Sequence, residues 1–155
     1  MQARMKKNQL TPLQINEQLI SEKVGRIGTS NLDGTPYIVP VHFVLHQDRI
    51  YVHGLSKGQK IENIKFNNNV CFEVDCMRGL IMHEEPCHVN TSYQSVIING
   101  IARIVTCDDT KKMILNLIID KYTPSLSRKE LSSQTVMNTA IIEIEILNCT
   151  GKYFG

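Results

Sequence analysis

A chain of 155 residues has room for one domain with a sizeable core, and little more. Seventeen Lys and Arg against fifteen Asp and Glu leave a formal net charge of +2, which argues against a dedicated nucleic-acid binder, whose basic residues are more numerous and more clustered. Hydrophobic residues at 42% and charged residues at 21% are ordinary for a globular protein, and no run approaches the roughly 18 to 20 apolar residues of a membrane span. Arg4, Lys6 and Lys7 near the start are followed by Gln14, Asn16, Glu17 and Gln18 and not by an apolar stretch, so no signal peptide is expected. Five cysteines at irregular spacing, an odd number, suit reduced thiols better than a disulfide framework. The expected location is the cytoplasm.

In chain order, Thr11, Pro12 and Gln14 make a helix start with a capping box, and Leu13, Ile15, Leu19, Ile20 and Val24 give it an apolar stripe. Residues 24–29 read as a strand, 31–36 as a turn built on Asp33-Gly34, and 37–45 as a second strand. Pro40 cannot donate to a ladder, so that strand is expected at an edge, at a bulge or against a ligand. Gln47-Asp48 makes the next turn, 49–53 a third strand, 56–66 a short helix ended by three asparagines, and 70–75 a fourth strand. The stretch 78–90 has no clear period. A long β run follows over 95–106, kinked at Asn99-Gly100, then a helix capped by Asp108. Residues 125–138 read as loop or weak helix. In the last strand, 139–146, Glu143 and Glu145 share one face and isoleucines the other. Strands in a meander with helices at the margins predict a mainly β fold, a small antiparallel barrel with peripheral helices.

His53-Gly54-Leu55-Ser56-Lys57-Gly58-Gln59-Lys60 joins a strand to a helix and is the most informative segment. Gly54 and Gly58 permit a tight passage, the helix start offers unpaired amides, Ser56 adds a hydroxyl, and Lys57 and Lys60 add positive charge. Those are the requirements of a phosphate monoester. The same residues also suit a solvated, capped helix start. His53 sits beside this loop and is either a packed strand-end histidine or the one catalytic candidate. A ligand lying along the Pro40 strand would meet exposed amides there, and Tyr93-Gln94-Ser95 gathers hydrogen-bonding groups before the long strand. Arg26 reads either as a core-edge residue or as a ligand contact. Cys76, His83, Cys87 and His88 match no compact zinc spacing, and no metal site is expected.

Four segments in order, Gly25-Arg26-Ile27-Gly28-Thr29, Asp33 through Val41 (Asp-Gly-Thr-Pro-Tyr-Ile-Val-Pro-Val), Ile50-Tyr51-Val52-His53-Gly54 and Lys57-Gly58-Gln59-Lys60, resemble the FMN-binding split-barrel superfamily. Tyr93-Gln94-Ser95-Val96-Ile97-Ile98-Asn99-Gly100 and Ile144-Glu145-Ile146 with Thr150-Gly151-Lys152 agree, and the resemblance spans roughly 10–153. Within the superfamily the chain is most similar to the pyridoxamine 5′-phosphate oxidase-like branch that includes the 5-nitroimidazole reductases. The resemblance implies a single domain over 1–155, a six-stranded antiparallel split barrel and a homodimer with FMN at the subunit interface. It implies that Ser56, Lys57 and Lys60 hold the FMN phosphate with help from Ser95, and that Val39, Pro40, Val41 and His42 line the isoalloxazine edge through their backbone. His53 and Gly54 would lie under the cofactor, and Tyr93 and Gln94 would approach it from the partner subunit. A small-molecule acceptor would take electrons from the flavin and NAD(P)H would supply them. The chain ends at Gly155 without the basic C-terminal segment of the true pyridoxamine phosphate oxidases, so vitamin B6 oxidation is not expected. The competing expectations are a non-catalytic FMN or haem binder, acting as sensor, store or carrier, and a barrel serving as an interaction module.

Overall fold

The computed structural model describes residues 7–127 and 129–155; Arg4 and Lys6 of the basic N-terminal stretch lie outside them. Helix α1 (Pro12–Ser21) begins as its sequence dictates: Thr11 Oγ1 accepts from the Gln14 amide and the Gln14 side chain accepts from the Thr11 amide. Its buried side differs from the expected stripe. Leu19 and Gln18 are buried and Ile15 partly so, whereas Leu13 and Ile20 face solvent. Gln18 is tolerated inside because its amide donates to the carbonyls of Val74 and Gln94.

Seven antiparallel strands follow: β1 (Gly25–Ser30), β2 (Pro36–Val41), β3 (Phe43–His46), β4 (Arg49–Leu55), β5 (Asn69–Ile81), β6 (Asn90–Ile104) and β7 (Thr139–Phe154). They form one sheet in the order β2-β1-β5-β6-β7-β4-β3. Helices α2 (Gln59–Phe66), α3 (Asp108–Tyr122) and α4 (Ser133–Asn138) lie at its margins. The class is the expected mainly β split barrel with peripheral helices, with one strand more than the expected six. The extra strand comes from a break at His42. Up to Val41 the run 36–46 pairs with β1, from Phe43 it pairs with β4, and the apolar pattern crosses that change of partner without interruption.

The two outermost strands, β2 and β3, are therefore consecutive in the chain with His42 alone between them. At this seam Tyr122 stands in for a missing ladder partner. Its hydroxyl accepts from the Phe43 amide at 2.8 Å and faces the carbonyls of Phe43 and Lys23, each at 3.0 Å. One side chain thus occupies the open edge of β3.

The alternation of each strand makes two cores. The barrel interior holds Ile27, Phe43, Ile50, Val52, Phe72, Val74, Val96, Ile98, Ile142 and Ile144, closed by Leu10 and Leu19. On the outer surface of β3, β4 and β7, Val44, Tyr51 and Ile141 meet Ile114, Leu115 and Ile118 of α3 and Val136 of α4. Glu143 and Glu145 take the outward positions on β7. Glu143 accepts from Tyr51 and pairs with Arg49, and Glu145 pairs with Arg103.

Three local expectations are corrected. Cys107, not Asp108, is the N-cap residue of α3, and Asp108 is its first helical residue. The 78–90 stretch extends the β5–β6 hairpin, with Leu80 opposite Thr91, a bulge between Met77 and Gly79, and a short 3-10 turn at Pro86–His88. The last strand runs on to Phe154. At the expected kink, Asn99-Gly100, the β6–β7 register shifts, with Leu147 of β7 as the extra residue, and a Cβ on Gly100 would stand 2.4 Å from the Glu145 carbonyl oxygen.

Candidate functional site

The seam at His42 opens into a cavity of about 360 Å³ lined by Val24, Pro40, Val41, His42, His53 and Lys60. Three elements converge on it. The end of β2 supplies Pro40 and Val41, β4 supplies His53, and the first turn of α2 supplies Lys60. Pro40 lies opposite Arg26 on β1, at the outer edge of the sheet, where its lack of an N–H disturbs no further ladder. The His42 ring stacks on Tyr122 at 4.2 Å between centroids and lies 6.0 Å from His53.

His53 is half-buried, and burial lowers its pKa, helped by His42 and Lys60. Near neutral pH its imidazole is uncharged, with one nitrogen donating and the other accepting. Lys60 folds back over the strand end, so that a Cβ on Gly54 would come 3.2 Å from its Nζ. Gly58, at φ 127°, is the N-cap of α2, and no side chain caps the helix there. The first amides of α2 therefore keep free donors beside the Lys60 ammonium, and a Cβ on Gly58 would meet nothing within 4 Å. An open helix start with an adjoining cation is the donor set an anionic phosphate needs, and these residues fit the phosphate end of a flavin mononucleotide. Ser56 and Lys57 precede that helix as exposed residues.

The other expected site residues are placed elsewhere. Val39 turns toward the barrel core. Tyr93, Gln94 and Ser95 lie on β6, the central strand of seven, three strands from β2 and two from β4. Gln94 faces a second cavity under α1, where its Oε1 accepts from Arg78. Ser95 Oγ is buried without a hydrogen-bond partner, on the outer surface beside Asp75. Arg26 on the same surface pairs with Glu73 at 3.0 Å and with Asp75. His83 and His88 approach to 4.9 Å, and among the described residues no three His, Cys, Asp or Glu side chains gather as a metal site. Sequence reasoning missed Val24 and Tyr122. Tyr122 had no local signal, because its place under His42 depends on how α3 docks.

Comparison with known structures agrees with the fold. A protein described as a proposed 5-nitroimidazole antibiotic resistance protein from Bacteroides thetaiotaomicron superposes with a TM-score of 0.80 at 25% identity, covering 95% of this chain and 87% of that one. A flavocytochrome from Azotobacter vinelandii gives 0.83 at 21% identity over 94% and 68%, and an FAD- and haem-binding protein from Mycobacterium smegmatis 0.86 at 16% over 94% and 73%. No curated protein sequence matches. The fold is that of the flavin-binding split barrels. A family model described as pyridoxamine 5′-phosphate oxidase matches residues 13–153, and the chain belongs to that family. No helix among the described residues is long and apolar enough to cross a membrane.

Proposed function

We propose that the chain is an FMN-dependent oxidoreductase that works as a homodimer, takes electrons from NAD(P)H and passes them to a small acceptor of the nitroaromatic type. The observation that carries the reading is the convergence of His42, His53 and Lys60 on one cavity beside the uncapped start of α2. Placement supports the dimer. Tyr93 and Ser95 sit on the central strand, away from this cavity, so a flavin held by both sets of residues needs a second subunit. The acceptor class rests on the likeness to the nitroimidazole resistance protein.

Bound FMN supplies hydride and electron transfer. Lys60 and the first α2 amides would hold its phosphate, with Ser56 and Lys57 close by, and Pro40, Val41 and His42 would line the site, where half-buried His53 would offer one donor and one acceptor.

The test is the visible spectrum of freshly purified protein, with the released cofactor identified by mass. Flavin bands, an FMN mass and anaerobic bleaching by NADH or NADPH are expected. Lys60→Met is expected to weaken FMN binding at least tenfold, about 1.4 kcal/mol. A Soret band would move the reading to haem handling, and a colourless protein that ignores added FMN would overturn it.

A further inference from the structure

A third cavity, of about 400 Å³, lies between the end of α1, β3 and the last turns of α3. Its walls are apolar, made by Ile20, Val44, Leu45 and Leu117. Two amines, Lys23 and Lys121, border it. Each has its hydrogen bond to a backbone carbonyl, Lys121 to Leu19 at 3.1 Å and Lys23 to Lys121 itself. Neither forms an ion pair with a carboxylate among the described residues, and Lys121 Nζ rests 3.8 Å over the Phe43 ring.

Two ammonium groups close together at an apolar cavity repel each other, and that of half-buried Lys121 is partly stripped of water. An anion relieves both costs, and the apolar walls reward a hydrocarbon body. We propose that this cavity binds a small amphiphilic carboxylate, with the carboxylate between Lys23 and Lys121 and the apolar part against Val44, Leu45 and Leu117. The volume falls within the range of small-ligand sites. Asp120, which also lines the cavity, disfavours a dianion and points to a singly charged head group.

A consequence of the free state supports the assignment. Burial lowers the pKa of Lys121 to about 8, Lys23 pushes in the same direction, and Glu22 opposes it. The charged groups facing Lys121 are thus Lys23 and Glu22 from the α1–β1 connection and Asp120 from its own helix; β3 presents Phe43, Val44 and Leu45. A carboxylate binds the protonated amine, so affinity falls as pH rises through 8. The loss approaches tenfold between pH 7 and pH 9 if the bound amine stays protonated.

The test titrates octanoate into the full-length protein at pH 7 and pH 9 and follows amide chemical shifts of Val44, Leu117 and Lys121. Octan-1-ol serves as the uncharged control. Saturable shifts at those residues, binding at least tenfold weaker for octan-1-ol, and several-fold weaker octanoate binding at pH 9 are expected. Lys121→Met should weaken binding about tenfold and Lys23→Met several-fold. If Lys121→Met fails to fold, Lys23→Met and the pH series decide. Equal binding of octan-1-ol, shifts centred on His42 and His53, or no saturable shift at millimolar octanoate would overturn the proposal.

Discussion

The outer surface of the barrel is finished in two ways. Around β3, β4 and β7 it is covered by the chain's own helices, and Ile114 and Ile141 in that layer are fully buried. Around β1, β5 and β6 no helix among the described residues lies over it. There Arg26, Glu73 and Asp75 form a charged row, Ile97 stays 39% exposed and Ser95 Oγ lacks a partner. The same alternation writes both halves, so the pleat does not explain the difference. What differs is the provision of cover. One half is completed by the chain's own helices, and the other offers apolar and polar groups that the proposed dimer would cover.

Substitutions in the two halves test that contrast. The largest effect is expected for Ile114→Ala in the covered half, a loss of about 3 kcal/mol in urea unfolding from the deleted methyl groups and the cavity left behind. The number of subunits per particle, read by light scattering, should not change. Tyr122→Phe should lose about 2 kcal/mol, since it leaves the Phe43 amide without its partner at the seam. Ile97→Glu in the bare half should instead convert dimer to monomer by light scattering and reduce FMN retention at least tenfold, about 1.4 kcal/mol, with an unchanged circular dichroism spectrum. If Ile97→Glu unfolds the protein as Ile114→Ala does, the contrast between the halves collapses. Thr11→Ala, which touches only the α1 cap, should lose about 1 kcal/mol.

The smallest effect concerns His53. Its pKa is lowered in the folded chain, so below its ordinary value the unfolded chain binds more protons. Stability relative to His53→Gln should fall as pH drops from about 7 through 6.5 toward 5, read as a growing difference in thermal midpoint.

Strands and turns were legible wherever a local rule applied. Asp33-Gly34 makes the first turn, with Gly34 at φ 83°, and Gln47-Asp48 turns with both residues at positive φ. The β6–β7 register shifts at Asn99-Gly100, and Ile142, Ile144 and Ile146 face inward from β7. The rest depended on partners distant in sequence. Nothing local distinguishes Val41 from Phe43, so the change of partner at His42 was hidden, and so was the seventh strand. Leu80 and Ile81 have ambiguous neighbours, yet they pair across the hairpin with Thr91 and Asn90. In the site, the His53–Lys60 segment was legible because it is contiguous and its chemistry is local. Its meeting with His42 is set by barrel closure, and the contribution of Tyr122 by the docking of a helix nearly eighty positions on.

The single-residue link at His42 also bears on the order in which the chain folds. The β1–β2, β3–β4 and β5–β6 hairpins join neighbours in sequence and are available early. The ladder between β4 and β7 joins Arg49 to Glu145, and that between β1 and β5 joins Arg26 to Glu73. Those distant pairings carry the loop-closure entropy, and they place this barrel among the slower-folding topologies. His42 lies where the β1–β2 and β3–β4 hairpins swing toward each other, so its stacking on Tyr122 belongs to the last contacts made. The cavity beside it is therefore a product of complete folding, and flavin capture should report arrival at the native state.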